Sequence, residues 1–104
     1  MRMHNPPHPG ASIKELYLDP LDIKISDAAK AMNMPRAALS EIINGRRGIS
    51  PKVAIKLEKA FSRSSRSWLK AQMNYDIWNE EQEYNAEDVC VLYKSEKAVA
   101  GKVA

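Results

Sequence analysis

The chain contains a single cysteine, Cys90. An internal disulfide is therefore impossible, and a reducing compartment fits. Aromatic residues make up only 7%, and no apolar run approaches the roughly 20 residues that a membrane-spanning helix needs. No Gly-rich loop between a strand and a helix is present to cradle a phosphate, and no paired catalytic carboxylates stand out, so the sequence does not read as an enzyme. His4 and His8 are four apart, but the prolines beside them prevent a shared helical face. With no cysteine or acid nearby they do not read as metal ligands, and no cofactor is expected. The opening stretch MRMHNPPHPG lacks the apolar segment of a signal peptide, and the expectation is a cytoplasmic protein.

The 104 residues are enough for one domain with a modest core. The formal charge is +3, unevenly spread. Residues 1–75 hold 13 Lys and Arg against 6 Asp and Glu, whereas residues 76–104 hold 3 against 7. A basic body with an acidic end suggests two surfaces with two kinds of partner.

Organisation along the chain is read from breaker and capping residues. Residues 1–9 form a Pro-rich arm, because Pro6, Pro7 and Pro9 force extended neighbours. A first helix is expected over about 10–18, with Ile13, Leu16 and Tyr17 on one face and Asp19-Pro20 at its end. Ser26 reads as the N-cap of a second helix over 27–32, small-sided through Ala28, Ala29 and Ala31, and stopped by Asn33. A third short helix begins with Pro35 in its first turn and ends at Asn44-Gly45. Leu39, Ile42 and Ile43 form its apolar stripe. Ser50-Pro51 opens a fourth helix that runs to about Phe61, with Val53, Ala54, Leu57, Ala60 and Phe61 at helical spacing, and a fifth starts near Ser64 and carries Trp68, Leu69, Met73 and Ile77. Trp68 is expected in the core; Tyr75 and Trp78 could be core or partner surface. After about Gln82 the character changes. Residues 83–88 are acidic and polar, and VCVLY at 89–93 reads as a short strand with a buried Cys90. In a helical body that strand could pair only with its copy in a dimer or with a partner chain. The expected division is thus an arm over 1–9, an all-α domain over 10–82, and a segment over 83–104 with the strand and a frayed tail.

Two short helices joined tightly at Asn33 form a helix-turn-helix pattern. Ala29 allows the second to cross the first closely, and Met34, Leu39 and Ile42 lock the pair from inside. The outward face is then free to enter a major groove, with flanking loops on the phosphates. Ser40 and Asn44 are candidates for base contacts. Arg36 could meet a phosphate or a guanine edge, and Glu41 could accept from cytosine or repel unwanted phosphate positions. Arg46, Arg47 and Lys52 are candidates for backbone contacts.

The segments NPPHPG at 5–10, AAKAMNMPRAALSEIINGRRGISPKVAIKLEKAF at 28–61 and SWLKAQMNYDIW at 67–78 together resemble the HigA-type antitoxins of the Xre-like helix-turn-helix group. The resemblance implies a five-helix, lambda-repressor-like domain that dimerises on a palindromic operator and represses its own operon. It also implies a partner: a HigB-type, RelE-like toxin that cuts messenger RNA. Carried over by position, Pro35, Arg36, Ala37, Ser40, Glu41 and Asn44 match the recognition helix, and Arg46, Arg47 and Lys52 the flanking phosphate contacts. Ala11 stands where the family usually has Glu, Asn33 replaces the turn Gly, and residues 64–68 depart from the family's SPEFW. An Xre-like repressor without a toxin, and a protein-interaction module that no longer reads DNA, remain as alternatives.

Overall fold

The computed structural model describes residues 5–95. Helix α1 starts as an α-turn over Pro9–Ser12 and continues as a π-wound segment over Ile13–Leu18; α2 is Ile25–Ala31, α3 Arg36–Ile43, α4 Pro51–Phe61 and α5 Ser65–Glu81. The five helices close around Ile13, Leu18, Ala28, Ala29, Met32, Leu39, Ile42, Ile43, Ile49, Ala54, Leu57 and Trp68. The fold is all-helical, as expected, and no strand forms among the described residues.

The winding of α1 corrects the sequence reading of its buried face. The amide of Asp19 bonds to the carbonyl of Lys14 at 2.9 Å and that of Ile23 to Leu18 at 2.8 Å, both five residues back. This wider winding brings Leu18 over Ile13. Leu18 is buried and Leu16 is exposed, whereas ordinary α periodicity puts Leu16 inward.

The start of α2 also differs. Lys24, not Ser26, is the N-cap, and its carbonyl accepts from both Asp27 and Ala28 at 3.0 Å. Ile25 packs against the core, which draws the helix start back from the better capping side chain. Pro35 sits one place before its expected position, as the extended N-cap of α3 with ψ 141°.

Other boundaries follow the capping residues. Asn33 is left-handed at φ 52°, as the turn requires. Its carbonyl accepts from Lys56 Nζ at 2.7 Å, which ties the turn to α4. The Ser50 and Ser64 hydroxyls accept from the amides of Val53 and Ser67. Trp68 is fully buried beside Tyr17, with the Arg63 guanidinium 4.1 Å from its ring centroid. Met73 and Ile77, further along α5, are about half exposed.

Two glycines are demanded by geometry. Gly10 lies so close to α3 that a Cβ would overlap the carbonyl oxygen of Ile42. Gly45, at φ 75°, turns the chain out of α3.

The arm packs onto the body over its described part: Pro6 and Pro9 are buried. His4 lies outside the described residues, as does the tail from residue 96. The strand expected at 89–93 is not formed in the single chain. Val89, Val91, Leu92 and Tyr93 are exposed, and Cys90 is exposed rather than buried. A lone extended segment has no ladder to complete its backbone hydrogen bonds, so nothing holds it as a strand.

Candidate nucleic-acid interface

Helix α3 is two turns long, and its burial is one-sided. Leu39, Ile42 and Ile43 enter the core. Pro35, Arg36, Ala37 and Asn44 are exposed, and Ser40 and Glu41 are half-buried. All six residues expected on the recognition face thus lie away from the core stripe.

Two pairs of side chains order this face. Asn44 Nδ2 donates to the backbone carbonyl of Ser40 at 2.9 Å and reaches its hydroxyl at 3.4 Å. The two candidates for base contact therefore form one polar unit. Glu41 Oε1 accepts from Arg47 Nε at 2.9 Å, with Arg47 Nη2 at 2.7 Å. Arg47, which follows α3 in the exit loop, is therefore turned back along the outer face of the helix. Glu41 acquires a role that the sequence left open, as the residue that aims Arg47. Both partners are about half exposed, 55% and 46%, so the pair orients more than it stabilises.

Arg46 is exposed at the same exit, and Lys52 is exposed in the first turn of α4. At the opposite end of α3, Arg36 lines a cleft with Lys14, Lys24 and Ser26. Lys14 is paired with Asp19 at 2.9 Å. Lys14 and Lys24 escaped the sequence reading because they lie outside the helix-turn-helix, on α1 and at the entry to α2.

Two further residues, Gln72 and His8, support the loop from behind, each held in turn by a residue of α5. Gln72 is buried on α5 and its Oε1 accepts from the amide of Ile49 at 2.9 Å, while its Nε2 donates to Asp76 Oδ1 at 3.0 Å. His8 Nδ1 accepts from the amide of Gly10 at 2.9 Å, and its ring meets Tyr75 edge-on at 4.8 Å between centroids. Burial pushes the His8 pKa down, opposed by the nearby Asp76 carboxylate. The signal for these residues was present in the HPG and WLxxQxxYDxW patterns. Neither their contacts nor their reach to the loop could be read from spacing.

A short two-helix unit, a left-handed Asn turn, a polar outer face and a basic exit loop define a helix-turn-helix domain. The helix-turn-helix family profile matches residues 13–69. Virulence-associated protein A of Dichelobacter nodosus is 56% identical over 77 residues, 73% of this chain and 76% of that protein. Antitoxin HigA-1 of Vibrio cholerae is 35% identical over 78 residues, 75% of this chain and 73% of its own. Among solved structures, a Pseudomonas aeruginosa protein in complex with its 18-bp operator DNA superposes with a TM-score of 0.77 at 25% identity, covering 84% of this chain and 94% of that one. The Pseudomonas aeruginosa antitoxin HigA with the higBA promoter superposes with a TM-score of 0.70 at 27% identity, covering 79% and 98%. This chain belongs to the helix-turn-helix family of DNA-binding regulators that includes the HigA antitoxins. Its relatives are regulators and antitoxins rather than enzymes, and no helix among the described residues is long and apolar enough to cross a membrane.

Proposed function

We propose that this protein is the antitoxin of a toxin–antitoxin pair. It binds a palindromic operator as a homodimer in the cytoplasm, represses its own operon and neutralises a HigB-like, mRNA-cleaving toxin. The observation that carries the DNA-binding half is the outer face of α3. There a Ser40–Asn44 polar unit stands beside an Arg47 guanidinium held along the same helix by Glu41. Such a face offers hydrogen-bonding groups for base edges, and Arg46, Arg47 and Lys52 offer cations for the phosphates on its flank. The relatives support the reading: the Pseudomonas HigA was solved with promoter DNA, and HigA-1 is named as an antitoxin.

The dimer and toxin surfaces fall on the acidic end. Residues 89–93 expose Val89, Val91, Leu92 and Tyr93, and a second copy pairing along this segment would complete its backbone hydrogen bonds. The acidic run over 76–88 suits a basic, RNA-binding toxin.

The test is a binding titration on the protein's own upstream DNA and on unrelated DNA, at two salt concentrations. Tight, salt-sensitive preference for its own DNA is expected, and equal or absent binding on both refutes the autoregulator. Co-expression with the neighbouring gene tests the other half: rescue of growth identifies the toxin, while a harmless neighbour leaves a repressor without one. Truncation after Gln82 should convert the dimer to a monomer in solution, and an intact dimer would rule out strand pairing.

A further inference from the structure

We propose that α5 positions the basic exit loop of the recognition helix, with Gln72 as the positioning residue and His8 of the arm as its counterpart at the other end of the loop. The inference rests on the DNA-binding reading above and adds two residues outside the helix-turn-helix to its machinery.

The loop runs from Gly45 to Ile49 and is held at both ends. At the Ile49 end, Gln72 Oε1 accepts from the Ile49 amide, and the Gln72 amide group lies 3.3 Å from where a Cβ on Gly48 would stand. Gly48 thus lets the loop settle onto the side chain. Gln72 is 8% exposed, and its orientation is set by Asp76, whose Oδ1 accepts a hydrogen bond from Gln72 Nε2 at 3.0 Å. The bond to Ile49 therefore has a fixed acceptor. At the other end, the His8 ring lies 3.7 Å from where a Cβ on Gly45 would stand, and is itself held by the amide of Gly10 and the edge of Tyr75. Tyr75 and Asp76 are consecutive on α5, so both ends of the loop are referred to one turn of one rigid helix.

Arg46 and Arg47 lie between these two anchors, with the Arg46 amide still bonded to the Glu41 carbonyl of α3 at 2.8 Å. Glu41 orders the Arg47 side chain, and Gln72 holds the backbone two residues further on, at Ile49. A buried amide such as that of Ile49 loses its acceptor outright if Gln72 is replaced, and the loop must move to reach water.

The test is Gln72→Met, which keeps side-chain length beneath Gly48 and removes both hydrogen bonds. In the free protein, amide hydrogen exchange at Ile49 should quicken by about tenfold, the loss of one modest hydrogen bond, while core amides of α3 and α4 keep their rates. On the protein's own upstream DNA, affinity should fall and the log–log salt slope should become shallower by about one, with preference over unrelated DNA retained. Adding Gln72→Met to a variant lacking Arg46 and Arg47 should leave the salt slope unchanged. Gln72→Glu with Asp76→Asn keeps the acceptor for the Ile49 amide, reverses only the bond between residues 72 and 76, and should restore the slope. Unchanged exchange at Ile49, or a loosened loop with an unchanged slope, overturns the proposal. If the unsubstituted protein shows no preference for its own DNA, the functional reading fails instead, and the exchange measurement still decides whether Gln72 holds the loop.

Discussion

Arg47 closes onto Glu41 across the exit of α3, Nη2 to Oε1 at 2.7 Å. An acid on a face that would meet DNA opposes binding by its charge, yet here it sets the direction of the cation that favours it. The two effects separate by substitution. Glu41→Gln keeps an acceptor for Arg47 and removes the negative charge. Binding to all DNA sequences should strengthen by a few-fold at low salt, because charge effects at such half-exposed sites are worth about 1 kcal/mol or less. A titration on unrelated DNA measures it, and weaker binding there would show that the aim Glu41 gives Arg47 outweighs the charge it adds.

Removing Arg46 and Arg47 together should weaken binding to every sequence alike. Each phosphate contact contributes about 0.9 to the log–log salt slope, so loss of both should reduce it by roughly two. Affinity measured across a salt series decides this, and an unchanged slope would move the backbone contacts elsewhere, with Arg36, Lys14 and Lys24 as the next cations to test.

Ser40→Ala and Asn44→Ala should act on sequence preference. A good base contact discriminates by about 1–3 kcal/mol, so each change should narrow the gap between operator and unrelated DNA while leaving the salt slope intact. The hydrogen bond between Asn44 and Ser40 makes the two non-additive, and the double variant should lose less than the sum. Competition binding with operator variants reads this directly.

Gly10→Ala tests the contact between α1 and α3. Alanine is the better helix former by about 1 kcal/mol, but its Cβ would overlap the backbone oxygen of Ile42, which cannot rotate aside. Overpacking costs about 1–3 kcal/mol or more, so the clash wins. Thermal melting should show Tm lower by at least about 5 °C.

His8 makes stability depend on pH. Burial lowers its pKa below 6.5, only partly offset by Asp76, and its Nδ1 accepts a hydrogen bond from Gly10, which the protonated ring cannot do. The unfolded chain therefore binds the proton more readily than the folded one. The stabilisation is fully present above about pH 6.5 and is lost as pH falls toward the lower folded value. Between pH 7 and pH 5, Tm should drop more for the natural protein than for His8→Asn, which keeps a capping acceptor without a titrating group.

Much of this was legible in the chain itself because it depends on local chemistry. Left-handed Asn33, the Ser50-Pro51 and Ser64 helix starts and the stripe of Leu39, Ile42 and Ile43 follow from turn residues, caps and periodicity. The outer face of α3 is whatever that stripe leaves outside, so the residues proposed to meet DNA could be named without coordinates. Two misreadings share one cause. Leu16 and Leu18 exchanged roles because the π winding of α1 answers to the core it packs on. The start of α2 moved to Lys24 because Ile25 packs against the core. The strand expected at 89–93 is a different case, because it needs a neighbour that one chain does not supply. The sequence by itself determined a helix-turn-helix and the polar face of its second helix. Only the tertiary structure decided that Gln72, 23 residues beyond Ile49, reaches that loop amide, and that His8 lies against Gly45. Contacts between distant segments are set by how helices cross and how closely they approach, and neither is written in the spacing of residues along one of them.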